Sequence, residues 1–116
     1  MKNRIDLAKL LPDVNGDIDR RLGLFALINL GVVELLANGR LSVDDVMQYF
    51  FHADNCQYVR KKLRDRIADK IMSHGVQLQD LFDVLPEHKA QQEFQRELAS
   101  IRSLCLQLLD QRRLVA

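Results

Sequence analysis

Leu22 to Ala37 reads LGLFALINLGVVELLA, sixteen residues that are apolar at almost every position and closed by Asn38 and Gly39. Wound into an α-helix, such a run carries apolar side chains on every side, so the pattern predicts a helix enclosed by other helices. The run is shorter than the ~20 residues a bilayer core requires, and it contains Asn29 and Glu34, so a membrane span is not expected. Burial on all sides also carries a mutational expectation. Replacing Leu27 or Leu30 with Asp should unfold the chain, because a buried unpaired charge costs several kcal/mol out of a total stability of about 5–15 kcal/mol.

The chain has 116 residues, which fits one domain over 1–116 with enough core to fold without staples. Its 17 basic and 16 acidic residues leave a net charge of +1, which excludes both an overall basic nucleic-acid binder and a strongly acidic mimic of nucleic acid. At the start, Met1-Lys2-Asn3-Arg4 is followed by the charged Ile5-Asp6-Leu7-Ala8-Lys9, which interrupts the apolar core a secretion leader needs. A cytoplasmic protein is the expectation. Cys56 and Cys105 stand far apart, outside any CxxC or Cys/His spacing, and read as reduced packing residues.

The punctuation of the chain predicts helices throughout and no strand. Ile5 to Leu11 is a short helical segment closed by Pro12, and Asp13-Val14-Asn15-Gly16 is a turn. Asp17 caps the long helix, which runs to about Asn38 with Gly39 supplying the left-handed stop. Ser42 and Asp45 form a capping box for a helix over Val43 to Phe51, and Asp44 and Asp45 favour its positive end. His52-Ala53-Asp54-Asn55 is a loop in which Asp54 or Asn55 caps the next helix.

From Cys56 to His74, Val59, Leu63, Ile67 and Ile71 recur every fourth residue and mark one buried face, with Gly75 as the stop. Leu78, Leu81, Phe82 and Leu85 describe a further short amphipathic helix, ended before Pro86. Pro86 starts the last helix, whose stripe is Phe94, Leu98, Ile101, Leu104, Cys105, Leu108 and Leu109. The expected fold is an all-α single compact bundle of five to six helices around a buried central helix.

Few constellations carry chemistry. Asp13-Val14-Asn15-Gly16-Asp17 has the alternate oxygens of a calcium loop, but Ile18 and Leu24 occupy the places where such a loop needs glycine and a closing carboxylate. A turn and a cap explain it. His52, His74 and His88 stand outside any ligand motif, and no serine or cysteine has a nucleophile context. Neither catalysis, a metal nor a cofactor is expected.

Arg60, Lys61, Lys62, Arg64, Arg66 and Lys70 make a locally basic stretch with only Asp65 and Asp69 against it. Following a short helix and a turn, it admits a helix-turn-helix reading with Arg60, Lys61, Arg64 and Lys70 on nucleic acid. Tyr49 and Lys62 then fall where such a unit wants a small and a buried residue, so a solvated face is preferred. Through residue 55 acidic residues outnumber basic ones. Asp13, Asp17 and Asp19 before the long helix, with Asp44, Asp45 and Asp54 around the short one, are the candidate partner-binding surface.

Leu35-Leu36-Ala37-Asn38-Gly39-Arg40-Leu41-Ser42-Val43-Asp44-Asp45, continuing to Phe50-Phe51, resembles a family of small all-helical bacterial proteins of uncharacterised activity. Members are encoded beside polymorphic or contact-dependent toxins. The resemblance continues through Val76-Gln77-Leu78-Gln79-Asp80-Leu81-Phe82-Asp83-Val84-Leu85-Pro86 and covers about residues 22 to 110. It implies an immunity protein, a non-catalytic cytoplasmic binder that neutralises a cognate toxin, commonly a nuclease, by a stoichiometric complex. The alternative is a helical regulator or adaptor that contacts nucleic acid through residues 60–70.

Overall fold

The computed structural model describes residues 4–11 and 17–112, and among them the fold is all-α, with six α-helices and no strand. These are α1 (Leu7–Leu10), α2 (Ile18–Ala37), α3 (Val43–Tyr49), α4 (Ala53–Tyr58), α5 (Arg66–Val84) and α6 (Glu87–Arg112), with a π-helical segment, Val59–Leu63, between α4 and α5. Asp13 and the whole Asp13–Gly16 turn lie outside the described residues.

The helix starts follow local chemistry. Asp17 caps α2 by accepting from the Asp19 amide, and Ser42 and Asp45 form the expected reciprocal capping box on α3. Gly39 takes the left-handed conformation that ends α2, at φ 76°. α4 is capped by neither Asp54 nor Asn55. His52 accepts from the Asn55 amide through Nδ1, while its Nε2 meets the Ile5 carbonyl at 2.9 Å. At the last helix the Pro86 carbonyl accepts the first helical hydrogen bond, from Ala90, at 2.8 Å.

Several expected boundaries move: α3 ends at Tyr49 instead of Phe51, and α4 opens at Ala53, inside the segment expected as a loop. The helix anticipated from Cys56 to His74 is broken at Arg64, whose left-handed backbone (φ 50°, ψ 45°) lets Asp65 cap a new helix by accepting from Ile67 and Ala68. Gly75 does not end that new helix. It lies within α5, buried, because the Phe51 ring occupies the space a side chain would need: a methyl there would run into Cε1, Cδ1 and Cζ of Phe51. α5 therefore absorbs the separate helix expected over Leu78 to Leu85.

The long helices form the frame. α6 packs along both α2 and α5, laying Ala90, Phe94, Leu98, Ile101, Cys105 and Leu108 into the groove between them. α3 packs on α5, and α1 on α4. From α2 the core receives Leu22, Phe25, Ala26, Val32, Val33 and Leu36. That helix is not enclosed on every side, as its composition implied: Leu27 is 47% and Leu35 38% exposed, and Gly31 faces open space. Leu30 is half-buried against the core. The expectation that Leu27→Asp unfolds the chain is thereby corrected, since an aspartate there keeps its water.

Candidate partner-binding surface

The start of α3 and the last turns of α5 meet in a groove of about 350 Å³, lined by Ser42, Val43, Asp44, Gln79, Phe82 and Asp83. The capping box holds the α3 side of this groove. Because Asp45 is used by the cap, Asp44, one residue earlier, is left to face α5 and accepts from Gln79 Nε2 at 2.9 Å. On α5, Gln79, Phe82 and Asp83 share a face by their spacing of three and four residues. Phe82 packs one edge on Phe94, with ring centroids 5.6 Å apart, and leaves 38% of itself in solvent.

Two carboxylates and a partly exposed aromatic ring line this one depression, a set of groups chemically suited to a cationic side chain. An arginine or lysine entering it finds charge from Asp44 and Asp83 and the ring of Phe82 for its stem or its cation–π contact. Sequence reasoning placed Asp44 here and missed Gln79, Phe82 and Asp83. With Gly75 taken as a helix stop, Phe82 counted as part of a buried stripe. Asp80 and Asp83 flanking an aromatic residue were the available signal of a wetter face.

The other acidic candidates do not converge on this groove. Asp17 and Asp19 belong to the first turn of α2, whose 20 residues place them about 30 Å from its far end, beyond which α3 begins. Asp54 is paired with Arg4, whose guanidinium holds the carboxyl below its ordinary range. Of the described candidates only Asp44 lines the groove, with Asp45 beside it in the capping box.

The basic candidates are likewise divided. Arg60 and Lys61 are exposed on the π-helical segment, Arg64 sits at the left-handed break, and Lys70 lies on α5. The expected continuous basic helix over residues 60–70 is thus replaced by two helical segments separated at Arg64 and Asp65. Lys61 and Lys62 line a cleft with Asp6 and Asp54, which gives that surface mixed charge.

Elsewhere, His74 Nδ1 meets Glu97 Oε2 across α5 and α6, and Ser100 and Ser103 line the adjoining groove with Lys70. These residues sit inside helices, where amide N–H groups are committed to the ladder and offer no pair of donors to an oxyanion. Among the described residues no group of three or more His, Cys, Asp or Glu side chains is placed to hold a metal ion. Cys56 and Cys105 are free thiols; burial raises both, and Cys105 is pushed up to about 12. A raised thiol holds less of the nucleophilic thiolate at neutral pH. No described helix is long and apolar enough to cross a membrane.

Comparison with curated proteins and with solved structures finds no match. One family model, described as "Protein of unknown function (DUF3969)", matches residues 17–115, which takes in α2 through α6, and the chain belongs to that family.

Proposed function

We propose that this protein is an immunity protein, which binds a cognate toxin domain and neutralises it by stoichiometric complex formation, without turnover or cofactor, in the cytoplasm. The observation that carries the reading is the groove in which Asp44 and Asp83 flank the half-exposed Phe82. A toxin that cleaves nucleic acid needs a basic cleft, and an arginine or lysine of that cleft matches this receptor in charge and shape. The resemblance over residues 22 to 110 supports the same reading. The surface that faces the toxin is then the α3–α5 end, with Asp44, Asp45 and Asp83, in place of the wider rim that included Asp13, Asp17, Asp19 and Asp54.

The test is copurification of the full chain with the product of the adjacent reading frame, together with an assay of that product's toxicity. Wild-type chain should form a one-to-one complex and protect cells. Asp44→Lys with Asp83→Lys should weaken the complex by ~100-fold or more, the size expected when charged contacts at an interface centre are reversed. A folded chain that neither binds that product nor protects against it removes the immunity reading. Protection that survives the double reversal keeps the function and removes the groove.

A further inference from the structure

The outward face of α2 is an apolar stripe that no described element covers. Arg20, Leu24, Leu27, Gly31, Glu34 and Leu35 recur at three- and four-residue spacing and so share one side of the helix. Leu27 and Leu35 are 47% and 38% exposed, Leu24 is half-buried, and a Cβ built on Gly31 would meet nothing within 4 Å. The stripe is therefore a projection beside a hollow: Leu27 stands out, and one turn along Gly31 leaves a gap. Its charges are arranged by end, with Arg20 towards the start of the helix and Glu34 towards its finish. Neither forms an ion pair among the described residues.

We propose that this face binds a second copy of the same chain, through an antiparallel α2–α2 contact about a two-fold axis. Antiparallel pairing is the arrangement that makes the stripe complementary to itself, as a closed two-fold interface requires. It seats Leu27 of each copy on Gly31 of the other. Arg20 then lies level with Asn38 of the second copy, one turn from Glu34, a separation of about 6 Å along the axis that an arginine side chain spans. Parallel pairing would instead bring Arg20 onto Arg20 and Glu34 onto Glu34. Leu27 and Leu35 stand exposed two turns apart on this one face, and the order of the charges at its ends selects the occupant. This face shares no residue with the α3–α5 groove, so the dimer stands independently of the toxin-binding proposal.

The experiment is sedimentation equilibrium on the full chain over a wide concentration range. Wild type should dimerise. Gly31→Leu should weaken association by ~100-fold, because it fills the hollow that receives Leu27, while its circular dichroism is retained and its melting temperature in dilute solution does not fall, since the new side chain points into open space. Leu27→Asp should act alike. Arg20→Glu and Glu34→Arg should each weaken the dimer by about tenfold, and the double variant should recover it. Wild type that stays monomeric to ~1 mM overturns the proposal, as does a dimer indifferent to Gly31→Leu. A monomeric wild type whose capture of the adjacent gene's product fails on Leu27→Asp also overturns it and assigns the face to that product.

Discussion

At Asn55, one fully buried side chain serves three backbone groups from distant parts of the chain. Its Oδ1 accepts from the Leu7 amide at 2.9 Å, while Nδ2 donates to the carbonyls of Ile5 and Phe50 at 3.0 and 2.8 Å. The segment before α1 is thus tied to the junction of α3 and α4, beside a backbone hydrogen bond from Ile5 to Tyr49. Asn55→Ala strands the Leu7 amide and the Phe50 carbonyl, while the Ile5 carbonyl keeps His52 Nε2, so it should cost about 2 kcal/mol or more in urea unfolding. Asn55→Asp should cost no less, because its carboxylate faces the two carbonyls with no donor to offer. A loss under about 1 kcal/mol would show that this clip does not form in solution. Nothing in the sequence distinguishes Asn55 as a hub. It sits in the polar run His52-Ala53-Asp54-Asn55, where a cap was the natural reading, and the capping acceptor proved to be His52.

Among the helices, the parts legible in sequence are those governed by neighbours in the chain. Ser42 with Asp45, Asp17, and Gly39 all act where their local patterns place them, because a cap is settled within four residues. The interruptions were not legible, because they answer to tertiary contact. Gly75 is mid-helix since Phe51 packs onto its bare backbone, and Phe51 is itself held edge-on to Phe50 at 5.0 Å. Arg64 takes a left-handed backbone usually left to glycine, so the four-residue spacing of Val59, Leu63, Ile67 and Ile71 spans a break. Gly31 of α2 and Gly75 of α5 provide the comparison that checks this account. Gly31→Ala should stabilise the chain by roughly 0.5–1 kcal/mol, the ordinary gain in helix propensity. Gly75→Ala makes the same propensity change but drives a methyl into a ring that is only 2% exposed, and it should destabilise by about 1–3 kcal/mol. Thermal melts of the two variants should move in opposite directions; shifts of one sign would remove the Phe51 contact as the reason for Gly75.

At the scale of the whole molecule, the extents of 45 × 34 × 23 Å explain why an apolar run need not be enclosed. With helix axes packed 8–10 Å apart, as a rule, a body about 23 Å thick holds roughly two layers of helices, so every long helix keeps an outer side. α2 resolves the conflict by burying Phe25, Ala26 and Val33 and leaving Leu27 and Leu35 outside. α2 remains the most deeply buried of the long helices, whereas the polar-looking α6 buries a single stripe between α2 and α5. Hydropathy alone ranks these two helices as their burial does, but because it sums over a helix it does not see which side meets a neighbour and which is left outside. One pair of variants tests the arrangement. Ile101→Asp places a charge at a site with no exposure and should abolish cooperative unfolding and much of the helical signal in circular dichroism. Leu27→Asp should keep both and cost under about 1 kcal/mol when measured in dilute solution, where self-association adds nothing to apparent stability. If Leu27→Asp unfolds the dilute chain as Ile101→Asp does, α2 is enclosed after all, and the layered packing of α2, α6 and α5 is wrong.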